Sequence, residues 1–355
     1  DRAAVLVAVV GRAGATGETR SQLDHALHVP DPATFDQGMN ALDQLTAQRS
    51  GDHRSSQRKG SVDLVTARSL WAPRGTTFEP AFLQTLAGDY GAGARVVDFR
   101  SDPEAARGTI NAWVSNATGQ AITQVVPRGA ISDFTRMVGA SALYPRAPWE
   151  VQFPADRTRP ARFTPRDDQA IEPPTMQLTT ANGLLSGRGD GYEATELPYL
   201  GQELALLVVV PDAGTLDEFT ARLDSARFEA IVQGLQPGPL DLRLPRFGFT
   251  TDVDLNEALR DLGLTDLLDE RRAELSAITT DEPLSLSAVL HQSFISVDEE
   301  GTQARAATVQ APTDPAAPGP ATSMRLAVDR PFLFALRDRK TGLILAFGRV
   351  TNPLG

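Results

Sequence analysis

A chain of 355 residues allows one large domain or two ordinary ones, and 41% hydrophobic against 22% charged residues supplies a sizeable core and excludes wholesale disorder. Its 45 acidic side chains against 34 basic ones give a net charge of −11, the wrong sign for neutralising phosphates, so no nucleic-acid partner is expected. The apolar runs Ala3–Val10 and Leu204–Val210 fall far short of the ~20 residues that cross a bilayer, so no membrane partner is expected either.

Apolar positions every three to four residues predict helices over Ala3–Ala15 and Glu18–His28, with a break at Gly17–Thr19. The polar stretch Gln48–Gly60 reads as a loop, and the alternation of Val62–Trp71 as a half-buried strand. Helical spacing returns over Glu79–Ala87 and Pro103–Val126. Met137–Tyr144, Thr175–Thr179, Gly191–Pro198, Glu203–Val210 and Leu240–Phe249 are short, β-rich and divided by Gly, Pro and Asp turns. Asp254–Leu262 and Thr265–Leu268 are helical again, and strands close the chain over Ser285–Asp298 and Arg325–Val350. Helices that lead and strands that follow point to an α+β fold. Between the last two strand regions, Gln310–Ser323 carries prolines at 312, 315, 318 and 320 and cannot be core. Only some thirty residues follow, too few for another domain, so this segment reads as a long exposed loop within one fold.

Zero cysteine removes disulfides and thiolate chemistry and leaves the compartment open. Of the four histidines, His25 and His28 stand three apart with no acidic cluster beside them, so neither a metal nor any other cofactor is expected. There is no Gly-x-Ser-x-Gly elbow and no Ser/His/Asp set, because of the histidines only His291 lies in a strand region, which argues against an enzyme. Gly187–Gly191 lacks the strand-to-helix context of a phosphate loop and reads as a hairpin turn. Arginine almost replaces lysine, with Lys59 and Lys340 as the two lysines, a bias that suggests a GC-rich, bacterial source.

Several longer stretches carry a resemblance. Val297-Asp298-Glu299-Glu300-Gly301-Thr302 is followed by a run of small residues to Val309. Downstream stand Asp329-Arg330-Pro331-Phe332 and Ala346-Phe347-Gly348-Arg349-Val350-Thr351-Asn352-Pro353. With Gly17-Glu18-Thr19, Ile110–Val114, Ala142–Tyr144 with Trp149, Glu196–Tyr199 and Leu244–Phe247, they make the chain resemble a serpin, as a bacterial member, over essentially its whole length. The resemblance implies an α+β serpin fold of three β-sheets with eight or nine helices. Residues 1–355 are then a single domain, lacking the helix and strand that usually precede this starting point, with an exposed reactive loop over 302–324. It further implies a monomeric inhibitor of serine-type peptidases, a suicide substrate whose loop inserts into the main sheet. The alternative is a non-inhibitory serpin-fold protein serving as substrate, carrier or chaperone-like binder.

The hinge of that loop maps to Glu299, Glu300, Gly301, Thr302, Ala304, Ala306 and Thr308. Because side chains alternate at period two along a strand, Thr302, Ala304, Ala306 and Thr308 form the inward set, all small and uncharged, while Arg305 falls on the outer set. The family's basic partner for Glu299, at the end of the strand before the hinge, maps to Arg246. Ser141 stands where the family usually has Asn, with His291 as its structural partner, and Trp149 follows Pro145-Arg146-Ala147 in place of Phe-Lys-Gly. Fourteen residues beyond Gly301 the family spacing to the reactive bond reaches Pro315, whereas eleven back from Pro331 reaches Pro320, so the loop is about five residues longer than usual. Among Thr313–Asp314, Ala316–Ala317 and Ala321–Thr322, the bond after Ala316, with Pro315 before it, is expected to be attacked, by an elastase- or subtilisin-like peptidase.

Overall fold

The computed structural model describes residues 11–55, 58–166, 169–303 and 323–355, without the side chains of Asn182 and Gly183. Hinge residues Ala304, Ala306 and Thr308, the reactive-bond candidates Pro315, Ala316, Ala317 and Ala321, and the run Ala3–Val10 lie outside the described residues. The helices, in chain order, are α1 (Gly17–Ala26), α2 (Phe35–Ala47), α3 (Pro80–Asp89), α4 (Pro103–Ala117), α5 (Leu216–Ala221), α6 (Ser225–Gly234) and α7 (Asn256–Asp261), with residues 11–14 helical ahead of α1. The strands are β1 (Gly51–Arg54), β2 (Lys59–Pro73), β3 (Gly93–Val97), β4 (Val138–Pro148), β5 (Arg159–Pro160), β6 (Pro174–Gly189), β7 (Tyr192–Pro198) and β8 (Leu204–Pro211). They continue with β9 (Gln236–Pro245), β10 (Phe247–Asp254), β11 (Ala288–Val297), β12 (Gly301–Thr302), β13 (Met324–Ala327), β14 (Phe332–Asp338) and β15 (Ile344–Val350).

One sheet has seven strands in the order β1-β2-β4-β12-β11-β10, with β3 also paired to β2. The other has eight, β13-β9-β6-β7-β8-β14-β15, with β5 on β6. The described residues thus make two sheets rather than the three that the resemblance implies. The reason lies in β6, a 16-residue strand whose register against β9 shifts between Thr180 and Leu184. Such an irregularity bends a strand without ending it, so β6 pairs with β9 on both sides of the bend and with β7 beyond it.

The chain divides into two compact units. The first holds Asp1–Gln48, Leu64–Tyr144 and Thr250–Phe294, the second Arg49–Asp63, Pro145–Phe249 and Ile295–Gly355. In the first unit, one core gathers Leu23, Phe82, Leu86, Leu264, Leu267 and Ile278, and another gathers Trp71, Phe99, Ile110, Val114, Val126 and Leu290. Helix α4 starts where Pro103 cannot donate and Asp102 accepts the Ala105 N–H at 2.9 Å. Its apolar spacing buries Ala106, Ile110 and Val114, but the helix stops at Ala117 and does not run to Val126. Beyond it Gly119 and Gln120 take positive φ, and the chain doubles back until the Asn111 amide bonds both the N–H and the C=O of Val126, at 2.8 and 3.0 Å.

In the second unit, β8 and β14 are buried along their whole lengths, as central strands must be. Helices α5 and α6 lay Leu216, Phe219, Ile231 and Leu235 against Ala194, Leu207, Val209 and Leu333. Three ion pairs tie the end of β14 to Glu196 of β7 and to Arg49. Arg49 meets Asp338 at 2.6 Å, and Glu196 is held between Arg337 and Arg339.

Other expectations are corrected as well. Gln48–Gly60 is not all loop: Gly51–Arg54 pairs antiparallel with Lys59–Val62, a hairpin whose polar, exposed side chains hide the strand from an alternation test. The break expected at Gly17–Thr19 falls earlier, since Gly17 opens α1. Leu240–Phe249 is two strands separated at Arg246, and Thr265–Leu268 is only a 3₁₀ turn.

Candidate functional site

Strand β11 ends at Val297, so Glu299 does not end a strand but sits in a tight turn. The Asp298 carboxylate makes that turn by accepting the N–H groups of Glu300 and Gly301, at 2.9 and 3.2 Å. The chain reverses, and Thr302 comes to lie opposite Val297. The Asp298 N–H donates to the Gly301 carbonyl at 3.0 Å, and the Gln303 N–H to that of Ser296 at 2.8 Å. On its other edge β12 pairs with β4, Gly301 opposite Pro148 and Thr302 opposite Ala147. In this unit, therefore, a two-residue strand stands between β4 and β11. In the first unit the same two strands pair directly and in parallel, Val138–Leu143 with Ala288–Ser293.

The slot admits little else. A Cβ on Gly301 would lie 2.1 Å from the Ala147 carbonyl oxygen, so only glycine lets the two backbones approach this closely. Thr302 is completely buried, with Oγ1 2.5 Å from the Tyr199 hydroxyl. Tyr199 in turn stacks on Trp149, ring centroids 4.6 Å apart and planes 10° from parallel. Trp149 anchors the turn twice: its indole N–H donates to the Asp298 carbonyl and its backbone N–H to the Glu300 carbonyl, both at 2.8 Å. The Phe153 N–H donates to the Glu299 carbonyl at 3.1 Å.

The Glu299 carboxylate accepts Nε and Nη2 of Arg246, at 2.8 and 2.7 Å, and the Thr158 hydroxyl. Burial pushes this carboxyl up, but the hydrogen bonds from Arg246 and Thr158 together outweigh it and hold the group below the ordinary carboxylate value. Its neighbours go the other way. Burial raises Asp298, while Glu300 is raised by burial and by the Asp298 charge, with Arg58 opposing. Arg58 itself donates to the Trp149 carbonyl at 2.9 Å.

In the first unit Ser141 and His291 face each other across β4 and β11, with Oγ and Nδ1 2.9 Å apart and both side chains buried. Burial lowers His291 to about 4, so the imidazole is neutral at pH 7.

The structure thus brings Glu299, Glu300, Gly301, Thr302, Arg246 and Trp149 together in the second unit and pairs Ser141 with His291 in the first. Sequence reasoning missed Tyr199, Asp298 and Thr158 as parts of the site. Tyr199 and Asp298 lie inside stretches already singled out, whereas Thr158 follows a short 3₁₀ turn and carries no pattern. Among the described residues no group of three or more His, Asp or Glu is placed to hold a metal.

The serpin family, described as serine protease inhibitor, matches this chain over residues 4–353. An uncharacterised serpin-like protein of Thermococcus kodakarensis is 31% identical over 346 residues, 96% of this chain and 76% of its own length. Human leukocyte elastase inhibitor is 29% identical over 357 residues, 96% of this chain and 88% of its own. Among solved structures, native protease nexin-1 with heparin matches with a TM-score of 0.84 at 25% identity, covering 98% of this chain and 90% of that one. The expectation of a bacterial source draws no support from these relatives, which are archaeal and human.

Proposed function

The chain belongs to the serpin family, and from that premise we propose that it inhibits serine-type peptidases as a suicide substrate, its long loop entering the seven-stranded sheet between β4 and β11. Serpins are generally peptidase inhibitors rather than enzymes, and inhibitors stand among the relatives. The observation that carries the reading is β12. Two hinge residues already occupy a strand position between β4 and β11, the place that further loop residues would extend.

In this reading residues 1–355 act as one domain and as a monomer. The peptidase serine attacks a loop carbonyl, the peptide bond breaks, and the acyl part of the loop stays joined to the enzyme as an ester. The freed segment then adds to the sheet as a strand, gaining ladder hydrogen bonds along its length. Thr302, Ala304, Ala306 and Thr308 suit the buried face because none is large or charged. The peptidase attacks the bond after Ala316, with Pro315 before it and Ala317 after it and Ala321 as the further candidate, and small residues there suit an elastase- or subtilisin-like pocket.

A denaturing gel tests this. Incubation with pancreatic elastase or subtilisin should give an SDS-resistant band at the summed mass of the two proteins. Clean cleavage of the loop by either enzyme with no such band would favour the non-inhibitory alternative, and turnover of a small ester by the chain alone would favour an enzyme.

A further inference from the structure

We propose that Arg54 and Lys59, on the hairpin of β1 and β2, form a docking point for a carboxylate-bearing surface of the peptidase, engaged while the loop enters the peptidase's cleft. The proposal rests on the reading that a peptidase attacks this loop, but not on whether the attack ends in trapping or in cleavage.

Antiparallel pairing sets Arg54 directly opposite Lys59, so both side chains leave the hairpin on one face, their Cβ atoms about 5 Å apart. Like charges in that position repel and destabilise the pair. Nothing within the molecule offsets the repulsion: both residues are exposed, and neither has an ion-pair partner among the described residues. Asp63, on the same face of β2, is taken up by the Ser61 hydroxyl at 3.1 Å and by Arg146 at 3.9 Å, while Asp52 is exposed and pairs with neither cation. In a chain of net charge −11, two unopposed cations side by side reverse the sign locally. The other face of the hairpin is seated on the second unit. A Cβ on Gly60 would lie 3.1 Å from Leu200 and 3.3 Å from Pro148, and the His53 ring packs on Gly201 while its Nε2 lies 3.0 Å from the Arg49 carbonyl. Across the turn the Ser55 N–H donates to the Arg58 carbonyl at 2.9 Å. Arg58 in turn donates to the Trp149 carbonyl at 2.9 Å, and the Trp149 N–H holds the Glu300 carbonyl, so the cations stand at a fixed place beside the residues that lead into the loop. Strand β13, where the loop returns, belongs to the same unit. A peptidase that holds the loop is therefore tethered within reach of the hairpin, and a carboxylate on its rim would relieve the repulsion between Arg54 and Lys59. Rim charges of this kind act on the association rate and are screened beyond about 10 Å at 0.1 M salt.

The test uses the full chain, the double variant Arg54→Gln with Lys59→Gln, and a control that removes two exposed cations of the first unit, Arg260→Gln with Arg271→Gln. The probe is subtilisin with its lysines succinylated, which turns ammonium groups into carboxylates and supplies the acidic surface. The quantity read is the second-order rate at which the intact loop is lost, whether into an SDS-resistant complex or into a clean cut. At about 20 mM salt the hairpin variant should be attacked roughly fivefold more slowly than the parent and the control within about twofold of it, and the difference should fade at about 0.5 M salt. Equal rates for parent and hairpin variant, or the same slowing in the control, would overturn the proposal. So would equal rates joined to weaker retention of the hairpin variant on dextran sulfate, which would give the site to a polyanion instead. If the parent is cut without forming a complex, the inhibitory reading fails, and the same rates still decide the docking point.

Discussion

At Glu299 a carboxylate that burial disfavours stays charged because Arg246 and Thr158 hold it. Replacing it with a cation should break the turn that seats β12. Glu299→Lys sets an ammonium against Arg246, and removing one member of a partly buried pair costs up to a few kcal/mol. The variant should form polymers on warming under conditions in which the parent stays monomeric by size-exclusion chromatography. A variant as heat-resistant and monomeric as the parent would show that the pair does not guard the sheet. Across the shared register of β4 and β11, His291 predicts a pH dependence. Its folded value, about 4, lies below the ordinary 6.5, so the stability it contributes is full above pH 6.5 and is lost as pH falls from there towards 4. The difference is worth roughly 3 kcal/mol at about 1.4 kcal/mol per unit. Urea midpoints should fall over this window in the parent and less steeply in His291→Asn, which cannot take up the proton. Parallel loss in both proteins would remove His291 from the account.

Strand β12 is only two residues long, yet it is the element on which the reading turns, and one side chain tests it. Thr302→Arg would drive a guanidinium into a fully buried slot beside Tyr199, at a cost of several kcal/mol. Insertion should then lose its race with deacylation, and the chain should be cut by elastase without trapping it. SDS-resistant complex at the parent's yield would contradict this. The same element shows what the sequence made legible. Of the proposed inward set, Thr302 lies among the described residues and is buried, and strand β8 was readable because Leu204–Val210 is uniformly apolar. The turn before the hinge was not, since nothing in Asp298-Glu299-Glu300 distinguishes a strand end from an Asx turn until the carboxylate is seen to accept two backbone N–H groups. Hairpin β1 was hidden because backbone pairing, not burial, holds it. Helix α4 was overextended because apolar spacing continues to Val126 while Gly119 and the Asn111 amide turn the chain back. The partners of Glu299 and Thr302 include Thr158 and Tyr199, respectively 141 and 103 residues away, and no local pattern encodes such pairs.

For the whole molecule, the proposal is that the uncut chain is metastable because its main sheet awaits a strand. Cutting the loop between Thr313 and Thr322 should let residues after Thr302 follow β12 into the sheet. Pro312 lacks the N–H that a central strand donates and should halt that entry near Ala311, so Pro312→Ala should deepen it and improve trapping over turnover. About nine added residues, each gaining about 1 kcal/mol in ladder bonds and burial, amount to a rise in melting temperature of ~10 °C or more. The most direct measurement is therefore calorimetry on the intact chain and on the same chain nicked in the loop and freed of peptidase. The nicked protein should show a clearly higher Tm, higher still with Pro312→Ala. A nicked protein that melts at or below the temperature of the intact one would contradict stored strain, and with it inhibition by loop insertion.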